Sequence, residues 1–305
     1  MQFIYQLSIP FTGVRTVKRQ LPSILVPVIL ILLFSACALG QGLNWEGQTG
    51  AFITPFAYTS PSSADGIGHP NVSFHYLNTG SVIGNNFQGS ITVGALGRTE
   101  FGYTRSFVSA GNTTLSPLFK NGFNTVHGKV NFIPENVKKT KWVPGVSVGF
   151  VARTQVQRVG GAIKAKDTTN GDIYLVATKV ITQIPNLPIL LNVGVKATNA
   201  SIFGLAGNAS AWQGRAFGAA AFVLKGPSKK SQVIVGSEFA QQPRYIKDLP
   251  GAIVPTTMTY FARIVPNSEK PFNIDFGIAQ AAGKIAPGVD VKARAQFAMG
   301  ITYRF

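Results

Sequence analysis

Twelve segments of the chain alternate apolar residues with small or polar ones: 71–79, 87–96, 99–108, 123–132, 143–155, 171–182, 188–198, 214–225, 231–240, 257–265, 271–281 and 293–305. In Phe272-Asn273-Ile274-Asp275-Phe276-Gly277-Ile278 the split is complete, and it recurs in Leu191-Asn192-Val193-Gly194-Val195-Lys196. A period of two marks a strand with one apolar face. The same alternation would serve a soluble sandwich, whose apolar face is its core, or a membrane barrel, whose apolar face meets lipid. Three features favour the barrel. The segments are about ten residues long, the length of a tilted membrane crossing. Their number is even. The connections alternate in length. One set is 80–86, 109–122, 156–170, 199–213, 241–256 and 282–292. The other is 97–98, 133–142, 183–187, 226–230 and 266–270. Barrels of the outer membrane have short turns at one end and long loops at the other. The predicted fold is all-β: a single antiparallel transmembrane β-barrel of about 12 strands over 71–305, with short periplasmic turns and longer outer loops.

The first forty residues read differently. Arg15, Lys18 and Arg19 precede an apolar run from Ile24 to Phe34, and small residues follow. That order predicts a secretory signal peptide over 1–40, too short in its apolar run for a transmembrane helix. Cys37, the one cysteine, leaves with it; the alternative is a lipidated Cys37. Residues 41–70 carry no strand period throughout. They form either a lead-in strand, the favoured expectation, or a plug segment folded into the lumen.

Charge changes the picture. Charged residues are 13% of the chain, yet 28 Lys and Arg face 11 Asp and Glu, a formal charge of +17. Without the leader the excess is +14. An anionic partner is expected: lipopolysaccharide phosphates or an anionic solute, and not nucleic acid, which an exported chain rarely meets. Strand parity puts Lys129, Arg153, Lys196, Arg215, Arg263, Arg294 and Arg304 on the lumen side with Glu100, Glu238 and Asp275. A Lys or Arg facing lipid at mid-depth costs about 2–4 kcal/mol, so these belong inside. Seven cations against three acids would favour anions. Arg105 shares a face with Phe101, Tyr103 and Phe107, which puts it outside, against lipid phosphate.

Catalytic chemistry finds little footing. His75 and His127 fall on lumen-facing positions, and no carboxylate in the sequence pattern orients either ring. No nucleophile elbow, phosphate loop or metal-ligand spacing occurs. Asn170-Gly171-Asp172 reads as a hairpin turn rather than a calcium loop. The chain is expected to be no enzyme and to need no cofactor or metal.

The last strand alternates from Phe297 to Phe305 and ends on the aromatic itself. Gly300, Tyr303 and Phe305 resemble the C-terminal assembly signal of Gram-negative outer-membrane β-barrels. The polar position two before the glycine is Ala298 here. The resemblance implies an outer-membrane location, outer-membrane lipid as surroundings and the barrel-assembly machinery as partner. Residues 50–57, Gly-Ala-Phe-Ile-Thr-Pro-Phe-Ala, resemble the opening of barrels associated with exopolysaccharide export. By architecture and charge the whole looks like small twelve-stranded channels for acidic sugars. The expected function is passive passage of small, anionic solutes. The alternative is a non-conducting barrel in envelope polysaccharide export or assembly.

Overall fold

The computed structural model describes residues 42–80, 84–112, 122–156, 168–184, 187–247, 249–268, 272–281, 284–286, 289–290 and 293–305. The signal-peptide expectation and Cys37 lie outside these residues. So do the side chain of Arg294 and parts of five of the longer connections.

Twelve strands run in order: β1 Asn71–Asn78, β2 Gly84–Ala95, β3 Thr99–Ala110, β4 Asn124–Ile133, β5 Gly145–Val156, β6 Thr168–Ile181, β7 Ile189–Ala200, β8 Asn208–Lys225, β9 Gln232–Ala240, β10 Thr257–Val265, β11 Phe272–Ala281 and β12 Ala293–Arg304. Each pairs antiparallel with its neighbours, and β12 returns to β1. That closing ladder runs from Asn71 opposite Arg304 to Leu77 opposite Ala298. The Phe305 amide adds a bond to the Pro70 carbonyl at 3.0 Å. A closed sheet leaves no unpaired edge, which is what a lipid environment demands of strands.

The pleat separates two faces. Phe74, Phe101, Phe107, Phe150, Ile173 and Val193 point out and are exposed. Their neighbours in sequence point in and are buried: Ser73, Glu100, Ser106, Gly149, Asp172 and Asn192. The barrel therefore wears its apolar face outside and its polar face inside, as a membrane barrel does. Inward glycines make room for inward aromatics. A Cβ at Gly149 would collide with the Tyr174 ring, one at Gly194 with Phe217, and one at Gly300 with His75. Gly300 thus has a packing reason of its own, besides any part in assembly.

Three strands begin earlier than their sequence pattern indicates: β2 at Gly84, β6 and β8. β6 starts at Thr168, so Asn170-Gly171-Asp172 lies within a strand and is not a hairpin turn. The cause is tertiary. Asp172 faces in and meets Arg153 Nη2 across the ladder at 2.7 Å, and Asn170 bonds Asn208 at 3.0 Å. These cross-strand contacts outweigh the local turn preference of Asn-Gly. β8 starts at Asn208 although 208–213 lacks alternation, and Asn208 is also tied to Thr168 Oγ1. The β7–β8 connection shrinks to 201–207, and β1–β2 to 79–83. The length asymmetry between the two ends is therefore weaker than expected. Beyond β9, a short strand Leu249–Ile253 pairs with Tyr245–Ile246, and Ile246 pairs with Ala209 in the extended end of β8.

Candidate functional site

Residues 42–60 form no lead-in strand. They fold into a compact turn structure closed by isolated bridges, Leu43 to Thr49 and Gly50 to Pro55. Trp45 N bonds Phe52 O at 2.7 Å, and Phe56 N bonds Thr49 O at 3.0 Å. Nearly all of this segment is buried. Its partners are the inward side chains of the wall, on β2 to β7, β9, β10 and β12, so the segment sits inside the ring of strands.

Four charged groups hold it. The Glu238 carboxylate on β9 accepts from the amides of Phe52, Ile53 and Thr54 at 2.9, 2.7 and 2.8 Å, and from Thr54 Oγ1 at 2.8 Å. Glu100 on β3 accepts from the Thr49 amide at 3.0 Å, the Ser60 amide at 2.7 Å and the Thr49 hydroxyl. Lys129 on β4 pairs with Glu100 at 3.1 Å and donates to the carbonyls of Thr49 and Phe56 at 3.0 and 3.1 Å. Arg263 on β10 forks onto Asp275 at 2.7 and 3.0 Å. It donates onward to the carbonyls of Gly50 and Ala51 at 2.9 and 3.2 Å. The segment's backbone groups, which a loop would leave to water, are instead met by wall side chains.

A fifth contact joins segment to wall by charge. Arg153 on β5, fully buried, donates to Glu46 at 2.7 Å and to Asp172 at 2.7 Å. Lys196 on β7 lies 3.8 Å from Asp172, with its ammonium 4.9 Å from the centre of the Phe203 ring. Trp45, Phe52, Ile53 and Phe56 bury their apolar surface against Tyr174, Val176, Phe217 and Phe261, so the hydrophobic core lies within the lumen.

A second buried element lies at the long-loop end. In the β7–β8 turn, Ile202 (φ 46°), Phe203 (φ 53°) and Gly204 (φ 88°) take left-handed backbone in succession. For the two residues with side chains this costs of order 1–3 kcal/mol each. The result is a buried Phe203 facing the segment. A cavity of about 20 Å³ lies between them, lined by Glu46, Gln48, Thr54, Asp172, Tyr174 and Phe203 among others. That is room for a single water. Phe203→Ala is expected to cost about 3 kcal/mol, the low end for losing a buried aromatic ring. Thermal unfolding followed by heat-dependent gel mobility reads it, and an unchanged midpoint contradicts it.

The other inward positions fall as follows. His75 and His127 are fully buried. His75 sits against Phe52 and Trp45, with ring centroids 5.6 and 6.2 Å away. Arg215 and Arg304 are half-buried, and Arg215 bonds the Gln242 carbonyl at 2.7 Å. Arg105 lies outside, stacked 5.6 Å from the Phe107 ring. At the short-turn end Tyr58 donates to Glu135 at 2.7 Å. Burial, and then that carboxylate, push its hydroxyl well above the usual phenol range. Among the described residues no group of three or more His, Cys, Asp or Glu could hold a metal ion.

Two residues central to this arrangement escape a sequence reading, Glu46 and Asp172. Asp172 keeps inward parity with Tyr174 and Val176, a signal masked by the Asn-Gly dipeptide before it. Glu46 lies where no period exists. Together they neutralise Arg153 and Lys196.

A family model described as a protein of unknown function, DUF3034, matches residues 41–262. The chain belongs to that family. The DUF3034 match takes in the lumenal segment together with the wall as far as β10. No curated protein matches the sequence. Among solved structures the chain is similar to the NanC porin, at 8% identity and TM-score 0.45 over 77% of this chain and 100% of that one. It is similar to the KdgM porin in complex with disordered oligogalacturonate, at 8% and 0.42 over 77% and 99%. An outer membrane channel from Pseudomonas putida F1 matches at 8% and 0.46 over 81% and 100%. Likenesses this distant carry no argument about what passes through.

Proposed function

We propose that this chain is an outer-membrane channel for small solutes, held closed by its own residues 42–60. The observation that carries the reading is how the segment is held. Its contacts with the wall are side-chain hydrogen bonds, ion pairs and packing, with no strand ladder joining the two among the described residues. Three buried cations of the wall behind it would keep their wall carboxylates if the segment left. Glu100 keeps Lys129, Asp172 keeps Arg153, and Asp275 keeps Arg263. On the β1, β10 and β11 side, Ser73, His75, Thr259 and Asn273 present buried polar atoms with no protein partner. Such groups are costly in a dry core and ordinary in an aqueous passage.

Passage of anions loses its main support. Among described residues the buried wall carries Lys129, Arg153, Lys196 and Arg263 against Glu100, Asp172, Glu238 and Asp275, an even balance. Arg215 and Arg304 add only partly screened charge at half-buried positions. The open form is therefore expected to select weakly by charge. Residues 50–57 are occupied with the wall, which leaves them little to offer a periplasmic export partner.

Planar-bilayer recording tests the reading. The full chain is expected to conduct rarely, and a chain lacking 42–60 to form steady channels with reversal potentials near zero under a salt gradient. A deletion variant that inserts and folds but stays silent overturns it.

A further inference from the structure

We propose that the short-turn end of the barrel is a collar for anionic phospholipid headgroups. It requires the membrane placement above but not conduction. Among the described residues four exposed cations are available at this end: Arg98 in the β2–β3 turn, Lys138 and Lys141 in the β4–β5 turn, and Lys229 in the β8–β9 turn. Among described residues the acids here are Asp65 and Glu135. Glu135 is already engaged by Lys179 at 2.9 Å and by Tyr58. The described residues of this end therefore carry a net positive charge.

Each group of cations sits beside an outward apolar residue. Leu96, 59% exposed, precedes Arg98; Trp142, 76% exposed, follows Lys141; Leu224 is exposed at the end of β8, before the turn that carries Lys229. That is the order met on leaving a hydrocarbon layer: apolar contact, then an amphipathic ring at the interface, then a charge that reaches headgroup phosphate along its aliphatic stem. The spacing around the ring decides between a lipid and an acidic protein. The cations lie on three turns distributed around the rim, so a protein docked on one side would meet a fraction of them. A leaflet encircles the barrel and meets all of them. Basic residues at a bilayer surface attract anionic lipid within a Debye length, and salt weakens the attraction.

The test uses the full chain in nanodiscs of phosphatidylcholine with or without phosphatidylglycerol. Retained lipid is read by native mass spectrometry and stability by thermal unfolding. The wild type is expected to retain phosphatidylglycerol several-fold over phosphatidylcholine, to gain several degrees in Tm from it, and to lose both in high salt. The variant Lys138→Gln/Lys141→Gln/Lys229→Gln is expected to lose the preference while keeping its β-sheet spectrum. If that variant does not fold, the salt titration of the wild type decides alone. No lipid preference in the wild type, or the same preference in the variant, overturns the proposal. So does tight binding of soluble polyphosphate without any preference for phosphatidylglycerol, which would assign the collar to a soluble polyanion.

Discussion

Replacing Glu238 with alanine is expected to turn a mostly closed barrel into one that opens often. Glu238 is the acceptor for three consecutive backbone amides and one hydroxyl of the lumenal segment. Removing the carboxylate leaves those donors buried with nothing to meet them, at about 1–3 kcal/mol each. When the segment leaves the lumen, water satisfies them, so the substitution penalises the closed state far more than the open one. A differential of about 3 kcal/mol already corresponds to roughly a hundredfold gain in open probability. Glu238→Gln keeps one acceptor oxygen and is expected to fall between the two. Single-channel recording gives open probability directly. Equal values in the wild type and the alanine variant would sink the idea that Glu238 latches the segment.

Arg153→Met is expected to be the most destabilising single change in the lumen. It leaves Glu46 and Asp172 buried without the cation between them, and one belongs to the segment and the other to the wall. Removing one partner of a buried ion pair costs about 3–5 kcal/mol. The repulsion acts across the contact that holds the barrel closed, so stability should fall and openings should rise together. Acid should relieve both defects, because protonation removes the like charges; the effect is present near neutral pH and fades as pH falls. The double change Arg153→Met/Glu46→Gln, which leaves Asp172 paired with Lys196, is expected to recover much of the loss. Thermal unfolding and open probability, each measured at neutral and acidic pH, check this. An Arg153→Met barrel that is as stable at neutral pH as in acid contradicts it.

The wall could be read from the chain because a half-buried strand writes its two faces into alternate residues. Phe272 to Ile278 gives its two faces by parity alone, and most of the wall follows that rule, the start of β8 excepted. Two strand starts were hidden because their reason lies on other strands. Asp172 stays in β6 through Arg153 on β5, and Asn208 extends β8 through Thr168 on β6. The segment was less legible still. Residues 42–60 have no period, since their conformation is fixed by Glu100, Lys129, Glu238 and Arg263, side chains distant in the chain. A reading by local pattern saw the cations Lys129, Arg153, Lys196 and Arg263 but not the counter-charges Glu46 and Asp172. The anion preference expected of the lumen rests on those cations alone, whereas the buried charges of the described wall come in equal numbers of each sign.

The join between the segment and β1 sets how the barrel could reclose. Ile67 bridges Ala95, and Leu96 N bonds Gly66 O at 2.9 Å, so the chain is fastened to the rim just before the first strand. Between that fastening and the buried Ser60 run residues 61–65, which reach at most roughly 17 Å when fully extended. A segment that has left the lumen can therefore never diffuse away. Its effective concentration at its own site stays in about the millimolar range, whatever the protein density in the membrane. Reclosure is then a unimolecular event with a rate independent of dilution, and an added free peptide of the same sequence would have to exceed that local concentration to compete.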